Sequence, residues 1–141
     1  MKLNILESSC ACEKCSRMCH APCLGTPEDM QKLMDAGFGK RLMFDDLPGG
    51  EDLIKPALKG FEGERSPWET YTLKGCTFWK EGKCELHSLG LKPLQGKLTH
   101  HSLSFSEYEA IGEFMDDSWK GNMAKQVIEK WKEINNKKGE I

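Results

Sequence analysis

The chain has no apolar run approaching the ~20 residues of a membrane-spanning helix, and it has no surplus of positive charge. Its 20 Lys and Arg face 22 Asp and Glu, for a formal net charge of −2 and a pI near 6.1. Binding governed by a nucleic-acid backbone needs clustered excess Lys and Arg, so a nucleic-acid partner is not expected. The opening stretch, Met1 to Cys10, holds only Leu3, Ile5 and Leu6 before the polar Glu7-Ser8-Ser9. That falls short of the apolar core of a signal peptide, about 7–15 residues, and cytoplasmic residence is the expectation. Gly-rich phosphate loop, Ser/His/Asp motif, His-Glu-x-x-His and paired-acid signature are all missing, as are internal repeats and low-complexity tracts. Nothing therefore identifies an enzyme. A thiol oxidoreductase built on Cys12-Glu13-Lys14-Cys15 would need a βαβ context that the pattern does not supply.

What the chain does have is apolar content and thiols. It is 38% apolar with four Trp and six Phe, enough for a folded core. Its 141 residues suit a single domain spanning 1–141. Seven residues are Cys, about 5% of the chain, below the roughly 8–10% of a disulfide scaffold. An odd count in a reducing compartment also argues against structural disulfides. Five of the seven, Cys10, Cys12, Cys15, Cys19 and Cys23, fall within fourteen residues among Glu13, Lys14, Ser16, Arg17 and His20. Those are not core surroundings. Cys76 and Cys84 return together later. Clustered thiols that are neither core nor disulfide point to metal or redox chemistry.

The ladder Cys12-x2-Cys15-x3-Cys19-x3-Cys23 contains two close pairs, but only three residues separate them. Zinc modules usually place a hairpin or helix between such pairs of tetrahedral ligands. A site closed by part of the ladder with Cys76 and Cys84 is geometrically easier. An iron–sulfur cluster accepts the same thiolates, although the spacing is not the bacterial ferredoxin run. Residues 1–25 carry a net charge of +1 and residues 76–105 of +2, whereas 26–75 and 106–128 each carry −3. The cysteine-bearing segments are thus the basic ones, and positive neighbours favour thiolates.

The coarse pattern predicts a mainly α, small metal-stapled domain with an irregular cysteine-rich N-terminal part, short extended pieces and C-terminal helices. The expected organisation is a metal-binding part over 1–100, helices over 101–136 and a tail over 137–141. Thr26-Pro27 opens a helix with Met30, Leu33 and Met34 on one face, and Gly37 stops it. Arg41–Asp45 reads as a short strand or an extended piece, Pro48-Gly49-Gly50 as a turn, and 51–75 as too punctuated for long elements. Cys76–Leu86, with Gly82 in the middle, reads as a tight hairpin or knuckle, and Leu89–Leu98 as a loop. Ser106-Glu107-Tyr108-Glu109 matches a capping box. Trp119, Met123, Val127, Trp131 and Ile134 then form one helical stripe, and Asn135 to Ile141 a frayed tail.

Cys12-x2-Cys15-x3-Cys19-His20, with Cys76-Thr77-Phe78 and Gly82-Lys83-Cys84-Glu85-Leu86-His87, resembles the YkgJ-type cysteine-cluster family, the CxxCxxxCC putative zinc- or iron-chelating domain. The resemblance covers roughly residues 10–100. It implies a metal centre, often labelled iron–sulfur, and carries over Cys12, Cys15, Cys19, Cys76 and Cys84 as ligands. This chain has His20 where the family has the second Cys of its doublet, and Gly96 where it has a last Cys. His20 is then a candidate nitrogen ligand, and Cys23 an extra thiol able to cover a lost one. Cys10 lies outside the pattern. His87 stands where the family usually has Tyr, which implies packing, and His100-His101 stand at a helix approach or a surface turn.

The function expected is metal binding through Cys12, Cys15, Cys19, Cys23, Cys76 and Cys84, with His20 as an additional candidate. The cofactor expected is an iron–sulfur cluster, most simply [4Fe-4S], for electron transfer, metal handling or regulation. The alternative is a structural Zn2+ module whose C-terminal helices, with Trp119 and Trp131 as candidate anchors, bind a protein partner.

Overall fold

The computed structural model describes residues 22–46, 51–67, 75–99 and 102–137. Local chemistry explains the first helix, α1 (Pro27–Asp35). The Thr26 hydroxyl accepts from the Asp29 amide at 3.2 Å, and the Asp29 carboxylate accepts from the Thr26 amide at 3.1 Å. This reciprocal box satisfies two amides that the helix start leaves without partners. Gly37, at φ 93°, ends the helix in the left-handed conformation that glycine adopts without penalty.

A short 3-10 turn, Gly39–Arg41, leads into β1 (Leu42–Asp45), which pairs antiparallel with β2 (Leu53–Pro56). The register sets Leu42 opposite Pro56 and Asp45 opposite Leu53. All four residues of each strand are buried, so neither shows the alternation of a half-exposed strand. Across this ladder the Lys55 ammonium meets the Asp45 carboxylate at 2.5 Å, both side chains being buried. Burial of either charge is tolerable because the other compensates it.

A second two-stranded sheet joins β3 (Trp79–Lys80) to β4 (Lys83–Cys84). Two short helices follow, α2 (Glu85–Ser88) and α3 (Leu94–Leu98), and then two long ones, α4 (Phe105–Ser118) and α5 (Asn122–Ile134).

The main core draws on every layer: Met30 and Leu33 of α1, Leu42, Phe44 and Ile54 of the first sheet, Phe78 and Leu86 around the second, and Val127 and Trp131 of α5. Trp131 is fully buried, stacks on Phe44 with centroids 6.0 Å apart, and donates its indole N–H to the Leu42 carbonyl at 3.0 Å. A smaller cluster of Leu98, Ile111 and Met115 joins α3 to α4, and Leu24 packs against both clusters. Among the described residues no helix is long and apolar enough to cross a membrane.

Several expectations are corrected. The described residues are 47% helical and 15% strand, with two small antiparallel sheets. The fold is therefore mixed rather than mainly α, and its described part is held by a shared apolar core rather than a metal staple. The short β2 lies in the stretch read as too punctuated for long elements, and α3 lies in the stretch read as a loop. Helix α4 is capped by Ser104 with Glu107, two residues ahead of the box read at Ser106. Met123 is exposed, and Ala124 takes its place in the core. Asn135 is pinned rather than frayed, because its side-chain amide donates to the carbonyls of Gly39 and Trp131. Pro48-Gly49-Gly50 lies outside the described residues.

Replacing Trp131 by Ala should remove about 3–5 kcal/mol of stability, from lost burial and the cavity left behind. Urea unfolding followed by far-UV circular dichroism measures it, and a loss under 1 kcal/mol would contradict this account of the core.

Candidate metal centre

Cys12, Cys15, Cys19 and His20 lie outside the described residues, as do Cys10 and His100-His101. Cys23, Cys76 and Cys84 are described, and none of them is in a disulfide. Cys76 is buried and the other two are half-buried.

The second sheet explains how Cys76 and Cys84 are placed. Cys76 bridges Leu58 of the preceding segment, and the Thr77 amide donates to the Ala57 carbonyl at 2.8 Å. The chain then turns, with the Trp79 amide donating to the Cys76 carbonyl at 3.0 Å. Glu81 and Gly82, at φ 50° and 78°, form the two left-handed positions of a hairpin turn whose twist matches its strands. The result sets Cys84 directly opposite Trp79. Opposite residues in an antiparallel pair share a face, so Trp79 and Cys84 lie on the same side of the hairpin. Cys76 belongs to the main apolar cluster, and Trp79 and Cys84 pack against it.

Cys23 is held by a different frame. The neighbouring Leu24 exchanges two hydrogen bonds with Gln95, its amide donating to Oε1 at 2.7 Å and its carbonyl accepting from the Gln95 amide at 3.1 Å. The Asp29 carboxylate also accepts from the Leu94 amide at 3.0 Å, and the Trp119 indole donates to the Gly25 carbonyl at 2.8 Å. Gly96 makes room for the thiol: a Cβ at that position would lie 3.0 Å from the Cys23 sulfur. The position read as lacking a cysteine is thus in contact with one from another segment.

Charge around the hairpin is organised by Arg41. One guanidinium nitrogen, Nη2, donates to the Thr77 carbonyl at 2.9 Å and to the Glu85 carboxylate at 2.7 Å. The guanidinium also lies over the Phe78 ring, 4.3 Å from its centroid. The hydrogen bond from Arg41, helped by the charges of Arg41 and Lys80, holds the Glu85 carboxyl below its usual range against the opposing effect of burial. At Glu62 burial acts upward, but backbone amides, the Thr77 hydroxyl and the field of Arg41 outweigh it and lower the pKa. Composition showed that this segment is basic. It did not show Arg41, whose contacts cross 36 and 44 residues of sequence.

Among the described residues no three His, Cys, Asp or Glu side chains are grouped to hold a metal ion. The donors present fit a metal in kind, since they are soft thiols outside any disulfide. Further ligands would have to come from Cys12, Cys15, Cys19 and His20. His87, expected to pack, is exposed on α2. Trp119 and Trp131, read as candidate partner anchors, are buried and spend their indole N–H groups on backbone carbonyls. No protein-family model matches the chain, and no curated protein or solved structure is significantly similar to it.

The frame around Cys23 is open to test at Gly25, where a Cβ would lie 2.9 Å from the Pro93 Cβ and 2.8 Å from the Asp29 carboxylate. Gly25→Ala should cost roughly 1–3 kcal/mol through overpacking. Thermal unfolding of the two proteins provides the comparison, and an unchanged melting temperature would show that the frame is loose.

Proposed function

We propose that the chain is a metal-binding protein with a thiolate-ligated centre, most simply a four-iron iron–sulfur cluster, serving electron transfer, metal handling or regulation. The observation that carries the reading is the hairpin. It carries two cysteines outside any disulfide, with Cys84 directly opposite Trp79, Cys76 three residues before Trp79, and Lys80 and Lys83 exposed at the turn. The likeness of the cysteine ladder to the YkgJ-type cysteine-cluster pattern adds support. The ligands are drawn from Cys12, Cys15, Cys19, Cys23, Cys76 and Cys84, with His20 as a further donor. When bound, such a cluster supplies one-electron redox chemistry at a potential set by hydrogen bonds to sulfur and by burial. The chain's part is to present thiolates, shield them with Leu86 and Trp79, and offset their charge with neighbouring cations. A centre of reduced thiolates suits the cytoplasm.

A structural zinc adaptor is the second reading. One observation favours it: Phe105, at the start of α4, leaves 77% of its surface exposed, which offers a partner an apolar contact on the C-terminal helices.

Anaerobic purification followed by iron, zinc and acid-labile sulfide analysis separates the two. Brown protein with iron and sulfide supports the cluster, and colourless protein with stoichiometric zinc supports the adaptor. Cys84→Ser and Cys19→Ser should each lose the metal, while Cys10→Ser keeps it. Full metal retention in Cys76→Ser/Cys84→Ser would overturn a centre shared between the two cysteine groups.

A further inference from the structure

The hairpin that carries Cys76 and Cys84 is too small to hold its own shape. Each strand contributes two residues, and an isolated two-stranded ribbon is marginal in water. Leu58 and Ala57 hold the Cys76 end through backbone pairing, and Arg41 is placed to tie that end to the Cys84 end. Thr77 follows Cys76 and Glu85 follows Cys84, and one Arg41 nitrogen bonds both, at 2.9 and 2.7 Å. We infer that Arg41 is the positioning residue of the thiolate centre, tying the backbone after one cysteine to the side chain after the other. The inference rests on the thiolate-centre reading and deepens it.

Three features make Arg41 effective in this role. Its backbone is anchored at the mouth of the first sheet: its amide donates to the Phe38 carbonyl at 2.9 Å and its carbonyl accepts from the Ala57 amide at 3.1 Å. Its guanidinium lies against Phe78 and faces Phe38 at 5.6 Å, and these two rings meet edge to face at 5.5 Å. The plane of the fork is therefore set before it reaches its acceptors. Both bonds are charge-assisted on the donor side, and each acceptor belongs to the residue that directly follows one of the cysteines. Arg41 keeps 27% of its side chain exposed, and its removal leaves the buried cluster of Met30, Phe44, Ile54 and Trp131 in place.

Arg41→Met keeps the length of the side chain and its packing on Phe78 but removes both bonds. The full-length protein is purified anaerobically with its metal, and release of that metal to excess EDTA is followed together with the near-ultraviolet and visible charge-transfer spectrum. The variant should fold, as judged by circular dichroism and cooperative melting. It should release metal at least about tenfold faster, in the range seen when groups that orient ligands are lost, with a shifted charge-transfer spectrum. Arg41→Lys should recover only part of the difference, because an ammonium lacks the stacked planar fork. If Arg41→Met does not fold, Glu85→Ala decides: it removes one end of the bridge without touching the Phe38–Phe78 pair, and should speed release in the same direction. Tight wild-type binding with unchanged release and spectrum in the folded variants would overturn the positioning role alone. Wild-type protein purified without metal, and taking up neither zinc nor iron with sulfide, would overturn the thiolate centre and this role with it.

Discussion

The indole of Trp131 organises the described part of the molecule. It is a large side chain with a polar N–H, so its complete burial obliges some backbone carbonyl to accept from it. The acceptor is Leu42, the first residue of β1. That single bond fixes helix α5 against the start of the first sheet, while the stack on Phe44 fixes the next turn of strand. Immediately before Leu42 stands Arg41, whose direction toward the cysteine hairpin follows from where β1 begins. Packing in the core is thus linked to the geometry of the candidate centre through two adjacent residues, Arg41 and Leu42, where the turn passes into β1.

The thiols occupy two kinds of environment for two physical reasons. Cys76 is buried because it bridges Leu58 and joins the apolar cluster. Cys84 is half-buried because it sits opposite the half-buried Trp79, next to the exposed Lys83 at the end of a two-residue turn. Cys23 belongs to a separate frame built by Leu24, Gln95, Asp29 and Trp119. The apolar core already joins the elements that bear these frames. On the proposed reading, metal is added to a described body that already shares an apolar core.

Local signals were legible and distant ones were not. Thr26, Pro27 and Gly37 mark α1 because caps and stops are made within a few residues. Gly82 marks the hairpin for the same reason. β2 was hidden because Leu53–Pro56 is buried on both faces, which erases alternation, and Pro56 looks like a breaker although it lies at the strand's end. α3 was hidden by Pro93 and Gly96. Pro93 in fact occupies the cap position, and Gly96 is accommodated because Lys92 and Cys23 fill the space beside it. The mainly α reading followed from missing these sheet residues. At the site, cysteine spacing pointed to Cys76 and Cys84, while Arg41 has no local signature and emerges only when 36 to 44 residues of chain are folded back.

The buried Asp45–Lys55 pair bears on which of several strand alignments the chain adopts. Because every residue of β1 and β2 is buried, hydrophobicity alone ranks neighbouring registers almost equally, unlike in a strand with one wet face. A slip of the ladder would pull the carboxylate and the ammonium apart in a water-poor interior, where a stranded charge costs about 3–5 kcal/mol. Two ions that contribute little net stability when matched thus discriminate strongly against the mismatched sheet. Since Arg41 immediately precedes β1, and Ala57, whose carbonyl accepts from the Thr77 amide, immediately follows β2, that selection of alignment is inherited by the geometry around Cys76.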